Sequence, residues 1–223
     1  MVIGLTYFAG YVLHGCKKDK LDDVTAPSTP GISASFTEEF DTVYNAMEKK
    51  DWVTKSSINA WSATWSQGFE GGQDKSGAWY GFPAYSFTTS QDEYAGIFVF
   101  DNTEMVNSWL ITPMLYVKNG NKISFYTHGS SGAYADRLQV RLNWNASTEI
   151  GDTFNNTGDF KTTVIDINPT QVTNGYPLTW TKYEYSFSAL SKPANVRIGF
   201  RYFVPKSARA KGIGIDQFKF EVQ

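Results

Sequence analysis

The stretch Asp136–Trp144 reads DRLQVRLNW, and within it Leu138, Val140, Leu142 and Trp144 alternate without a break with Arg137, Gln139, Arg141 and Asn143. A period of two puts one set on each face of an extended chain, whereas a helical period of 3.6 would scatter both sets around its circumference. The segment therefore predicts a strand with one buried face. TKYEYSFSAL repeats the pattern through Tyr183, Tyr185 and Phe187, and NVRIGFRYFV does so through Val196, Ile198, Phe200 and Tyr202. Further strands are expected in AGIFVFD, SWLITPML and NKISFYTH, with Lys118–Asn121 (KNGN) as a hairpin turn between the last two, because Asn-Gly suits the positive φ of such turns. One helix is expected in FDTVYNAMEKKDW, with Phe40, Tyr44 and Met47 on one face and Asp41 as N-cap. No internal repeat is visible.

The last strand carries an irregularity. In GIGIDQFKFEV, Ile213 and Ile215 share one parity while Phe218, Phe220 and Val222 share the other. Both sets stay inward only if a residue is inserted, which predicts a β-bulge at Asp216–Gln217 that re-aims the Asp216 carboxylate.

Aromatic residues make up 16% of the chain, with 7 Trp and 13 Tyr, more than one small core needs. They are dense in Trp61–Phe87 (WSATWSQGFEGGQDKSGAWYGFPAYSF), which keeps neither a period of 2 nor of 3.6, so its rings cannot all face one core. Trp61, Trp65, Trp79, Tyr80 and Tyr85 are accordingly the candidate ligand contacts. Flat rings among amides suit the apolar face of a sugar and equally suit a protein hot spot. The opposing expectation is that Trp61 and Trp65 cover an end of the sandwich and Trp79 plugs a sheet edge.

The only cysteine, Cys16, can close no internal disulfide. Val2–Leu13 is uncharged and too short to cross about 30 Å of hydrocarbon, as a signal-peptide core is. Leu13–Cys16 (LHGC) resembles the bacterial lipoprotein cleavage box, with His14 as a departure from its small-residue pattern. The resemblance implies lipidation at Cys16. A charged, Pro/Ser/Thr-rich tether then runs to the domain. The expected organisation is a signal peptide over 1–15, a lipidated cysteine and tether over 16–34, and one domain over 35–223. That domain of roughly 190 residues is long enough for a sizeable single core. Net charge is −2 with no basic cluster, so nucleic acid is not an expected partner.

The order FTEEFD, the helix ending at Trp52, NSWLITPML, WTKYEYSFSAL, VRIGFRYF and GIGIDQFKFEV resembles the choice-of-anchor J or cleaved-adhesin domains of Bacteroidetes surface proteins, including the adhesin modules of gingipains. The likeness runs from Ser35 to the C-terminus. It implies an all-β, jelly-roll β-sandwich of two antiparallel sheets with one short helix near the N-terminus. It also implies a non-catalytic role in binding glycan or protein at the bacterial outer membrane or cell surface, or facing the periplasm, with the lipid as the only membrane contact. A structural Ca2+ held by Glu39 or Asp41 together with Asp216 is a further implication. Outside the leader, His128 is the one histidine and no nucleophile motif accompanies it. The alternatives are a glycan-cleaving enzyme, whose carboxylates would come from residues such as Asp74, Asp92, Glu93 and Asp101, and a structural subunit of a surface assembly.

Overall fold

The computed structural model describes residues 30–57, 64–68, 81–85, 93–99 and 105–223. Alternating sequences build its strands: β1 (Phe36–Glu38), β2 (Val53–Ser56), β3 (Ser66–Gly68), β4 (Tyr94–Phe98), β5 (Val106–Ile111), β6 (Leu115–Val117), β7 (Lys122–Gly129), β8 (Leu138–Asn143), β9 (Thr162–Ile167), β10 (Thr181–Ser186), β11 (Ala194–Val204) and β12 (Gly212–Glu221). One sheet has the order β10-β7-β12-β4-β3 with β1 beside β12; the other has the order β2-β5-β11-β8-β9 with β6 beside β11. All strand pairs are antiparallel. The chain changes sheet at β1-β2, β2-β3, β4-β5, β6-β7, β7-β8, β9-β10, β10-β11 and β11-β12, so neighbours in sequence face each other across the core, as in a jelly roll.

That core follows the alternation. Ile123, Phe125, Ile213, Ile215, Phe218 and Phe220 point inward from the first sheet, and Leu110, Leu138, Val140, Leu142, Val196, Ile198, Phe200 and Tyr202 from the second. Phe200 meets Phe125 edge-on at 5.0 Å and Phe218 at 5.9 Å, joining the two inner faces. The bulge expected at Asp216–Gln217 is present. Register on β7 shifts between Asp216 and Lys219, and Gln217 takes φ 49°. Both apolar sets of β12 are thereby kept inside.

Four expectations are corrected. The 118–121 segment does turn, with Gly120 at φ 92° and the Asn121 side chain accepting from the Lys118 amide, but it is no hairpin. The strands it joins, β6 and β7, belong to different sheets. The helix α1 is only Val43–Lys49 and buries Val43 and Ala46, while Tyr44 is 65% exposed and Phe40 lies before the helix at φ 60°. Thr42, not Asp41, is its N-cap residue, and Gln67 Oε1 takes the Val43 amide in place of a local cap. Trp144 falls past the end of β8 and is 39% exposed. Ahead of β1, the Gly31 amide donates to Asn195 Oδ1 and Ile32 bridges to Leu115.

Candidate functional site

On the face of β8 away from the core, Arg141 and Asn143 bond to residues of the 144–161 segment, and Arg137 and Gln139 to Asp166 of β9. Arg201, on the same outer face, is 3% exposed and lies 3.9 Å from the centre of the Phe203 ring and 5.3 Å from that of Trp109. It donates to Asn107 Oδ1 at 2.7 Å, Gln139 Oε1 at 3.2 Å and the Phe154 carbonyl at 2.6 Å. Burial, with Arg141 and Arg137 nearby, pushes its guanidinium down to about 9. Arg141 reaches the Phe160 carbonyl, and Arg137 forks onto Asp166 at 2.9 and 2.6 Å. These donors are engaged in holding a loop down, which leaves little on this face for a ligand.

The outer face of the first sheet is built differently. Gly96 and Gly214 leave it without side chains at two points, and a Cβ on Gly214 would meet Tyr94 Cδ2 at 2.7 Å and Phe82 Cε2 at 3.0 Å. Phe82 fills that space, stacked on Tyr94 at 4.7 Å and on His128 at 4.1 Å, with Trp180 edge-on at 5.5 Å. Trp180 Nε1 donates to the Pro83 carbonyl at 2.9 Å, fastening residues 81–85 across the sheet. His128 is thus part of a ring stack. Burial lowers its pKa, its Nδ1 lies 2.7 Å from the Gly129 carbonyl, and it belongs to β7 itself.

Beside this cluster Tyr85 stacks on Tyr126 with centroids 3.6 Å apart, planes 19° from parallel and hydroxyls 3.0 Å apart. Tyr85 is 40% exposed, and its amide donates to Asp216 Oδ2 at 2.9 Å. The bulge makes that anchor, since Asp216 Oδ1 takes the Gln217 amide at 2.7 Å from the same kink. Buried there with Glu39 and Asp41 in Coulombic range, the Asp216 carboxyl is raised to about 7 despite its two amide donors. Glu39, bonded to the Gln217 side-chain amide, is raised by burial, Asp41 and Glu38, and Glu93 by burial and Asp41.

Of the expected ligand contacts, Tyr85 lies on this surface. Trp65 is 3% exposed and packs in the main core, where no external ligand reaches it, as the opposing expectation had it. Trp61, Trp79 and Tyr80 lie outside the described residues, as does Cys16. Tyr126 was not singled out in the sequence, although a large ring out of phase with Ile123 and Phe125 was the signal for it. The carboxylates expected to hold calcium are brought to one neighbourhood, and their oxygens suit a hard cation. Among the described residues, however, no three Asp, Glu, His or Cys side chains converge on one point, so these three alone do not complete a site. A cleft of about 290 Å3 is lined by Ile32, Phe36, Trp52 and Pro113, with Ser35, Thr37 and the Lys50–Glu38 pair, at 3.0 Å, as its polar groups.

The sequence matches no protein-family model, and no curated protein matches it. Solved structures share the fold. The K1 cleaved adhesin domain of Lys-gingipain from Porphyromonas gingivalis W83 superposes with a TM-score of 0.54 at 17% identity, over 85% of this chain and 99% of that one. The K2 cleaved adhesin domain of Lys-gingipain gives 0.53 at 18%, over 85% and 100%. The chain therefore has an adhesin-like β-sandwich fold.

Proposed function

We propose that this chain is a non-catalytic surface adhesin module that binds glycan through the Tyr85–Tyr126 platform. One observation carries the reading: a stacked, partly exposed tyrosine pair, held in place by a buried carboxylate and a fastened loop, on a sheet face that also carries a ring cluster and charged side chains. Rings offer a sugar its apolar contact, and neighbouring polar groups its orientation. Likeness to domains named as cleaved adhesins supports a binding role. Trp61, Trp79 and Tyr80 are proposed to extend the platform.

The rest of the reading goes with the choice-of-anchor J resemblance. The protein is tethered by lipid at Cys16 to the bacterial outer membrane or cell surface. A structural Ca2+ at Glu39, Asp41 and Asp216 draws its remaining oxygen ligands from other groups and ties the first strand region to the bulge of the last.

A glycan array probed with and without calcium tests the function, followed by Tyr85→Ala and Tyr126→Ala. Loss of one ring contact should weaken glycan binding about threefold to tenfold with a near-normal melt. Variants that melt normally and bind like the parent place recognition elsewhere, and an array blank for every glycan with binding to a protein ligand reverses the choice of partner. For the anchor, Cys16→Ala should move the protein from membrane to soluble fraction, and equal solubility of parent and variant rules the anchor out.

A further inference from the structure

Lysines gather on one side of the platform. Antiparallel register sets Lys182, Tyr126 and Asp216 in one row of the outer face, Glu184, Ser124 and Lys219 in the next, and Ser186, Lys122 and Glu221 in the third. Ile123 and Phe125 on β7 point into the core, which puts Lys122, Ser124 and Tyr126 on the outside together. Three ammonium groups and two solvent-facing carboxylates therefore occupy adjacent strands beside the rings. The carboxylates are shared unevenly. Glu184 serves both Lys182 at 3.4 Å and Lys122 at 3.9 Å, while Glu221 pairs with Lys219 at 3.1 Å. Within these three rows the lysines outnumber the solvent-facing glutamates by one, while the further carboxylates Glu39 and Asp41 lie on the Asp216 side.

Asp216 offers the surface no free oxygen. It is buried, and both its oxygens accept backbone amides. The lysines also act jointly. Glu221 is held below its ordinary pKa first by its hydrogen bond from Lys219, and Lys122 and Lys182 on the two other strands add to the pull. An anion placed over these rows would feel the same three cations. Lys182 and Lys219 are exposed and flank β7 from both sides, with Lys182 opposite Tyr126 itself.

We infer that the ligand of the Tyr85–Tyr126 platform is an anionic glycan, whose carboxylate or sulfate groups reach Lys182 and Lys219 while a sugar face rests on the tyrosines. This rests on the glycan reading above and narrows it to a chemical class. Each exposed ion pair is worth little alone, so the preference comes from the summed charge and is screened by salt over about 8 Å at physiological ionic strength.

Three probes separate the chemistries: polygalacturonate for carboxylate, its fully methyl-esterified form as the neutral control, and chondroitin sulfate for added sulfate. Titrated at low salt, an acidic probe should bind about tenfold more tightly than the ester, through two or three charge contacts of ordinary size. Lys182→Gln and Lys219→Gln should each weaken that binding about threefold, and Glu184→Gln, which releases two lysines, should strengthen it by a similar factor. Opposite signs from neighbouring exposed residues cannot come from misfolding. Sulfated and carboxylated probes binding alike assigns charge alone as the determinant, and a preference between them names the group. Equal affinity for polygalacturonate and its ester, no binding of either acidic probe, or no opposed response of Lys182→Gln and Glu184→Gln overturns the anionic assignment. If Tyr126→Ala still weakens binding to any probe, the glycan reading stands without it; if Tyr126→Ala changes nothing, the platform reading falls as well.

Discussion

The two outer faces of the sandwich meet the same problem by different chemistry. Each sheet must pin irregular chain across its outside. On the second sheet, guanidinium groups reach up from β8 and β11 into loop carbonyls, Arg141 to Phe160 and Arg201 to Phe154. On the first, glycines lower the surface and rings fill the hollow, with Phe82 seated on Tyr94 and His128. Directional bonds from the buried Arg201 tie the loop down, so that face is closed. Ring stacking is tolerant of partners, and it leaves Tyr85 available at the margin. The comparison indicates why recognition is assigned to the first face although the second is richer in polar groups.

The sharpest way to break the comparison is Arg201→Met. It keeps the stem but strips donors from Asn107, Gln139 and the Phe154 carbonyl, and the buried acceptors left behind should cost about 3–5 kcal/mol in urea denaturation. A loss under about 1 kcal/mol would mean that Arg201 is held by the loop and does not hold it.

Next in size is a dependence on pH that the first face and its neighbourhood impose. Asp216 is raised to about 7 and Asp136, buried beside Tyr202, to about 6, in both cases first by burial. Both acids hold a proton more tightly folded than unfolded. The stability this contributes is fully present below the unfolded value near 4 and is lost as pH rises through about 6 and then about 7. Between about pH 5 and pH 8 the loss should be on the order of 2–4 kcal/mol, and Asp216→Asn with Asp136→Asn should flatten the curve. The proposed calcium favours ionised carboxylates, so millimolar Ca2+ over EDTA should raise Tm, and by more at pH 8 than at pH 5. An unchanged Tm at both pH values removes the ion from the reading.

Gly214→Ala tests the glycine floor. Its methyl would press on Tyr94 and Phe82, at a cost of about 2 kcal/mol and with a changed near-ultraviolet signal from the displaced rings. No change in that signal would show that the rings have room to spare. Smallest is Tyr85→Ala, expected to cost about 1 kcal/mol or less in a thermal melt because the ring is half in water, while its effect on binding is several-fold. A stability loss above about 3 kcal/mol would make Tyr85 a core residue and the two faces alike.

Alternation alone determined much of this protein. A period of two needs no partner to be read, so Leu138, Val140 and Leu142, or Val196 through Tyr202, declare an inward face, and a parity change at Asp216–Gln217 declares a bulge wherever both apolar sets must stay buried. Tertiary structure decided what lies over the other face. Nothing local in RLQVRLN distinguishes a solvated arginine from one capped by a loop, because the cap comes from residues 144–161 and from Arg201 on another strand. Turn chemistry at Asn119-Gly120 is local, yet which sheet takes β7 depends on pairing with β10 and β12, more than 50 residues away. Trp65 and Tyr85 belong to one aromatic segment with no period, and their opposite fates, core and surface, were set by what each met: the closed interior in one case, and Tyr126 beside the Asp216 kink in the other. Side-chain identity states how much area a ring can bury, and only the packed neighbours state whether it does.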